Sequence, residues 1–329
     1  MPKSCTPAKR CISEFEEFDL MISILLNLTG KIALLMLLGY FLRKYNIITE
    51  QFQKDITSFM LKVALPANVL TTANNPFSRE LSTNLLLTAV IAVVYYSISL
   101  LLTHAISRFL PLSQGGKVVF MTSCVFANTA FIGFPLATEL LGSEGLLYAV
   151  IFNLVWIVFF YTIGISLLSG QKTIRLKTLF TMPVSVASFC AVLIYLSPFR
   201  FPGFIQDTLS TLGAMVAPIS MIVVGCSLVH IRPIDILKDG YSYFVSVMRM
   251  AVFPAAVLLV LKLIPGIPNI VSTVCCLACC LPGASMNVVF AQEYNCDPQY
   301  ASRAVVQGTL LMVVTVPLFM SIAMAAFPL

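Results

Sequence analysis

The residues able to do chemistry are few, and they stand in unusual places. Asn128 and Thr129 bring an amide and a hydroxyl into an apolar stretch, 118–141, that is long enough to cross a bilayer at about 1.5 Å per residue. Gly133 then loosens the backbone, and Pro135 lacks the N–H that an α-helix would donate four residues back. A second disruption follows at Leu281-Pro282-Gly283-Ala284-Ser285-Met286-Asn287. Broken backbone deep in an apolar segment survives only where protein or a watery cavity covers it, and two broken segments in corresponding halves of a chain point to a transporter's binding site. The free N–H groups and positive dipole end of each half-helix can hold a carboxylate. Asn128, Thr129, Gly133, Pro282 and Gly283 are therefore candidate substrate-binding residues, with Pro135, Pro282, Pro66 and Pro218 as helix-breaking residues. The alternative is that Asn128 ties two helices together by an interhelical hydrogen bond.

Asn153 and Gln307 each follow a break by one helix, so each can line the same site or bond to neighbouring backbone. Glu139 and Glu293 are candidates for coupling to H+ or Na+, since a desolvated carboxyl can carry a proton or ligate an ion. Both also fit solvated helix ends. Lys31, Lys62 and Arg249 are basic residues within apolar spans. Lys62 reads as snorkelling to the interface, and Arg249 sits on a polar stripe with Ser242 and Ser246; either can countercharge an anion. His104 reads as an interface marker and Trp156 as packing. Seven of the ten cysteines lie within apolar segments, where small thiols pack helices. The cluster Cys275, Cys276, Cys279, Cys280 has no second ligand set for zinc, so neither a metal nor a cofactor is called for.

The elements that must position these groups follow from composition. Of 329 residues, 59% are hydrophobic and 10% charged, with a mean hydropathy of +0.94; a soluble domain carries roughly 25% charged residues. The expectation is an all-α, multi-span membrane protein whose surroundings are the lipid bilayer. The net charge of +6 is scattered singly along short loops, which excludes a nucleic-acid partner. Apolar segments fall at 20–43, 55–74, 83–110, 117–141, 144–169, 177–197, 206–230, 241–264, 270–294 and 298–327, about ten by length. Loops after the odd-numbered segments hold Arg43, Lys44, Lys54, Arg108, Lys117, Lys172, Arg175, Lys177, Arg232, Lys238 and Arg303, against Arg79, Arg200 and Lys262 in the others. Eleven against three puts the first set in the cytoplasm and both termini outside the cell membrane, a bias that Lys3, Lys9 and Arg10 of the tail on the far side weaken without reversing. Residues 1–19 carry Glu14, Glu16, Glu17 and Asp19 and read as an extramembrane tail, not a signal peptide.

The halves repeat. Ala137-Thr138-Glu139-Leu140 recurs as Ala291-Gln292-Glu293-Tyr294, 154 residues on, and at that offset Asn128 meets Pro282 and Asn153 meets Gln307; Pro66 and Pro218 lie 152 apart. Five helices per repeat is an odd number, so the second copy enters the membrane inverted. The predicted organisation is a first repeat at 20–170, a cytoplasmic linker at 171–177 and a second repeat at 178–329.

With these residues in view, the sequence resembles the auxin efflux carrier family of plant exporters and bacterial permeases. The likeness runs through Gly39-Tyr40 to Lys44 and Val63-Ala64-Leu65-Pro66-Ala67-Asn68-Val69-Leu70; Asn128-Thr129 with Gly133-Phe134-Pro135-Leu136; and Ala217-Pro218 with Gly225-Cys226-Ser227-Leu228. It continues in Leu281-Pro282, Val289 to Asn295, Ala304-Val305-Val306-Gln307-Gly308 and Pro317-Leu318. The resemblance implies ten helices in two inverted repeats, with helices 4 and 9 unwound and crossing at the substrate site, and elevator-like alternating access. The short connection between segments 5 and 6, and Ala127 where the plant motif has proline, set the chain with the bacterial permeases proposed for malonate or malate.

The expected function is a secondary transporter for a small mono- or dicarboxylate, with a homodimer as the assembly to look for. A symporter or antiporter for another solute and a non-transporting membrane sensor are the alternatives. An enzyme is not expected, since no His-Glu-x-x-His, paired-aspartate or Gly-x-Ser-x-Gly pattern occurs.

Overall fold

The computed structural model describes residues 27, 30–171, 180–229 and 239–328. The expected tail at 1–19 and nearly all of the linker at 171–177 lie outside the described residues. So do Lys172, Arg175, Lys177, Arg232 and Lys238, on which part of the orientation rests.

The described chain is helical throughout: α1 (30–44), α2 (Glu50–Asn74), α3 (Arg79–Ser107), α4 (Gln114–Val125), α5 (129–141), α6 (143–169), α7 (Pro183–Leu196), α8 (Gly203–Ser227), α9 (Gly240–Leu263), α10 (Asn269–Cys280), α11 (Ser285–Glu293) and α12 (Pro298–Ala326). Among the described residues, six stretches are long and apolar enough to cross a membrane: α2, α3, the continuous run Thr129–Ser169, α8, α9 and α12. That run would be about 60 Å long as one rod, twice the hydrocarbon thickness. It is not one rod, because Gly142, at φ +66°, breaks it. Thr129 Oγ1 donates a 2.6 Å hydrogen bond to Asn153 Oδ1, 24 residues on, so α5 and α6 must fold back on each other as a hairpin.

Proline shapes three more places. A widened turn at Met60–Ala64 precedes Pro66, another at Met248–Val252 precedes Pro254, and a third at Thr129–Gly133 precedes Pro135. In the first two, the residue before proline donates to the carbonyl five back: Leu65 to Met60 and Phe253 to Met248. Adding a residue to the turn spares the ring a clash with the carbonyl four back, which has lost its donor. At Pro218 the response differs. There α8 tightens at Met215, whose N–H reaches only three residues back to Leu212.

Packing places the broken segments at the centre. Every residue from Val118 to Val125 on α4 and from Val271 to Cys280 on α10 is buried. By contrast, α3 buries Ala92, Tyr95, Tyr96 and Ser99 and leaves Leu86, Val90, Val93, Val94 and Leu101 exposed, an apolar face suited to lipid. Helices α1 and α8 meet backbone to backbone. A Cβ built on Gly39 would stand 2.0 Å from the Ile222 oxygen, one on Gly225 would stand 2.0 Å from the Met36 oxygen, and the Cys226 thiol donates to the Gly39 carbonyl at 3.2 Å. Small residues permit that approach where lipid gives no hydrophobic drive.

Candidate functional site

Helix α4 ends at Val125, α10 ends at Cys280, and the extended residues beyond them meet. Ala127 and Gly283 pair as an antiparallel bridge, the Asn128 N–H donating to the Pro282 oxygen and the Ala284 N–H to the Phe126 oxygen, both at 2.9 Å. Each break thus satisfies backbone groups of the other. Asn128 also accepts from the Phe131 N–H through Oδ1 at 3.3 Å, capping α5. Asn287 of α11 donates to the Thr122 and Phe126 carbonyls at 3.3 and 3.2 Å. Gly133 lies under Leu281, whose Cδ1 would be 2.8 Å from an added Cβ.

On one side of this crossing lies a cavity of about 420 Å³. Asn128, Thr129 and Asn153 line it, together with the first residues of α11 (Ala284, Ser285 and Met286), Ser185 of α7, and apolar Trp156, Ile157, Val184, Val223 and Val224. Among the described residues, none that lines it carries a formal charge. Its polar complement is rich in donors. The Trp156 indole N–H and the Ser185 hydroxyl are buried with no hydrogen-bond partner among the described residues, and the opening turn of α11 adds peptide N–H groups. Such a set, with positive half-helix ends, favours an uncharged-walled site for an anion. The cavity leads past Gln53, Thr57, Leu61 and Ser227 into a wider hollow of about 710 Å³ that adds Glu50, Lys54 and Lys62. Lys54 pairs with Glu50 at 2.7 Å, while Lys62 is exposed.

The sequence-derived candidates divide. Asn128, Thr129 and Asn153 share the cavity; Pro282 and Gly283 lie in the extended, bridged segment beside it. Gln307 is outside it, accepting a hydrogen bond from Ser246 at 3.2 Å, near a void of only about 10 Å³ bounded by Ser123, Ser246, Pro282 and Gly283. Glu139 lies at the surface, paired with Lys31 at 2.7 Å with both side chains about half exposed, and Glu293 is exposed at the end of α11. Trp156 and Ser185 are additions. Trp156 lies three residues after Asn153, on the same helix face, which is a readable signal; Ser185 has none. The cysteines of α10 are buried, Cys280 donating to the Leu277 carbonyl at 3.2 Å.

Arg249, on the widened turn of α9, is 1% exposed and does not reach the cavity. Its Nε donates to the Leu281 oxygen at 2.9 Å and its Nη2 to the Ala278 oxygen at 3.2 Å. Its Nη1 lies 3.1 and 3.0 Å from the Cys124 and Val125 oxygens and 2.7 Å from the Tyr95 hydroxyl. Outside the spans, Asp239 caps α9 through the Tyr241 and Ser242 N–H groups and pairs with Arg303 at 2.6 Å. Burial works against its ionisation, but the bonds from Arg303 and Ser242 prevail and hold its carboxyl below the usual range.

A family model described as "membrane transport protein" matches the chain twice, over residues 27–177 and 169–320. The chain is 25% identical over 303 residues to an uncharacterized transporter of Methanocaldococcus jannaschii and 26% identical over 296 residues to one of Methanothermobacter thermautotrophicus. Each alignment covers 88% of this chain and 95% of the relative. With both halves matched and the crossing at its centre, the chain belongs to the membrane transport protein family of auxin efflux carriers.

Proposed function

We propose that this multi-pass membrane protein is a secondary transporter that moves a small organic anion, a mono- or dicarboxylate, across the cell membrane by alternating access. The observation that carries the reading is the donor-lined cavity of about 420 Å³ at the crossing of two broken segments, whose described lining residues are all uncharged. Asn128, Thr129 and Asn153 bind the carboxylate with the N-terminal peptide groups of α11 and the Trp156 and Ser185 donors. Pro135, Pro282, Pro66 and Pro218 open or bend the helices.

In this reading α4 with α5 and α10 with α11 are the fourth and ninth of ten spans, set in two inverted five-helix repeats that meet near residues 171–177. Two observations support it. The family model matches twice, meeting at 169–177, and Asn128 bonds directly to Pro282, its equivalent at the 154-residue offset, as residues on a pseudo-twofold axis should. Alternating access is supported by the other offset pair: Asn153 faces the open cavity, whereas Gln307 sits by the 10 Å³ void. A mirrored state would exchange their surroundings. With Arg43 and Lys54 marking the cytoplasmic side, the cavity opens inward, past the exposed Lys62, which draws anions toward its mouth.

The test is counterflow in proteoliposomes loaded with unlabelled mono- or dicarboxylates, after a thermal-shift panel selects the ligands that stabilise the protein. Saturable uptake stimulated from the opposite side supports a carrier. Flux that neither saturates nor is stimulated would replace it with a pore, and no flux or stabilisation by any carboxylate would remove the substrate class.

A further inference from the structure

A buried guanidinium without a carboxylate is costly unless its donors are otherwise satisfied. Arg249 is buried in this way, and among the described residues every hydrogen-bond partner is a backbone carbonyl or the neutral Tyr95 hydroxyl. The four carbonyls share one property: the break has removed each one's helical donor. Cys124 would accept from Asn128, whose N–H goes to Pro282 instead. Val125 and Leu281 would accept from Thr129 and Ser285, each beyond a break. Ala278 would accept from residue 282, a proline with no N–H. The Cys124, Val125 and Ala278 oxygens belong to the negative dipole ends of α4 and α10, which converge there, and the Leu281 oxygen lies just past α10 in extended backbone.

We infer that Arg249 is the resident cation of the crossing, a positioning residue that neutralises both half-helix ends, so that no dissociable metal ion binds there, and that removing its charge leaves a site for a small monovalent cation. The inference deepens the carrier reading, since it assigns the charge balance of the transport site to the chain itself. Four converging carbonyls, with the Ser123 hydroxyl, which has no partner among the described residues, bounding the adjoining void, form an oxygen-rich pocket of the kind that holds an alkali ion or a planar guanidinium. Arginine fits better than lysine, because its donors form a fixed fork, whereas an ammonium offers three from one point.

Purified wild type and the variants Arg249→Lys, Arg249→Met and Arg249→Ala are melted in millimolar choline, sodium, potassium or guanidinium chloride at constant ionic strength. The wild type is expected to melt alike in all four salts. Arg249→Lys should melt lower, but equally in each, and Arg249→Met lower again, because it fills the volume without charge. Arg249→Ala should be rescued by guanidinium over choline, and to a lesser extent by sodium or potassium. Arg249→Met as stable as Arg249→Lys would overturn the inference, as would sodium raising the wild-type melting temperature over choline, or Arg249→Ala melting alike in guanidinium and choline. Should Arg249→Ala fail to accumulate, the order of the Lys and Met variants decides alone. None of these readouts uses substrate, so absent carboxylate flux in the wild type would count against the carrier reading and leave this one standing.

Discussion

In the carrier reading, Asn128 does two jobs that one substitution can separate. Its Oδ1 caps α5 by accepting from the Phe131 N–H, leaving the amide nitrogen for the cavity that the residue lines. Asn128→Ala removes both and should cost about 1 kcal/mol in the lost cap as well as the donor. Asn128→Asp retains the cap, since a carboxylate accepts the same bond and suits the positive end of α5. It also puts a negative charge where the bound carboxylate would lie. At about 4 Å and an effective dielectric near 20, the repulsion is roughly 4 kcal/mol, or about three orders of magnitude in affinity. The assay is counterflow of a stabilising carboxylate in proteoliposomes, normalised to reconstituted protein, beside a thermal melt. The expected result is a near-native melt with flux lost, and flux returning as pH falls and the introduced carboxyl protonates. Asn128→Asp carrying anion at neutral pH within about twofold of wild type would refute the assignment and reduce Asn128 to a cap.

Three further outcomes follow from geometry. Gly39→Ala puts a Cβ 2.0 Å from the Ile222 oxygen, so α1 and α8 must separate, at about 1–3 kcal/mol for an overpacked contact; a thermal melt should register the loss, and Gly225→Ala should match it. Gly203, with open space around it, is the control. Thr129→Val removes the donor to Asn153 Oδ1 in a pair 4% and 2% exposed, costing about 1–3 kcal/mol, whereas Thr129→Ser should retain both melt and substrate affinity. Asp239 titrates below its unfolded value, so its stabilisation is complete above the ordinary carboxylate pKa of about 3.9 and disappears as pH falls through the lower folded value. Acid melts of Asp239→Asn should be flatter across that window, and an unchanged acid profile would disprove the coupling.

The breaks were legible because proline and glycine act locally: Pro135, Pro282 and Gly283 disrupt a helix whatever surrounds them. Their meeting was implied by the family resemblance, and the repeat offset pairs Asn128 with the very residue that accepts its N–H. The motif pieces Gly39-Tyr40 and Gly225-Cys226 were visible separately; that they face each other across two helices is a property of the fold. Arg249 shows where one-dimensional reading stops. A basic residue in an apolar span has the same sequence signature whether it snorkels, countercharges a ligand or binds carbonyls, and only the convergence of α4 and α10 decides. The pairing of Lys31 with Glu139, 108 residues apart, was likewise beyond the sequence, although a solvated helix end for Glu139 was one of its readings. Trp156 and Ser185 join the site because they line the cavity with donors that have no partner among the described residues, a fact that requires coordinates.

The two backbone hydrogen bonds between residues 126–128 and 282–284 make the two sequence halves mutually dependent. Expressed alone, either half would expose in its middle an N–H and a carbonyl that lipid cannot solvate, each costing several kcal/mol. Separate half-chains should therefore be degraded singly and accumulate only when produced together, so the gene tolerates being cut between its halves but not the deletion of one.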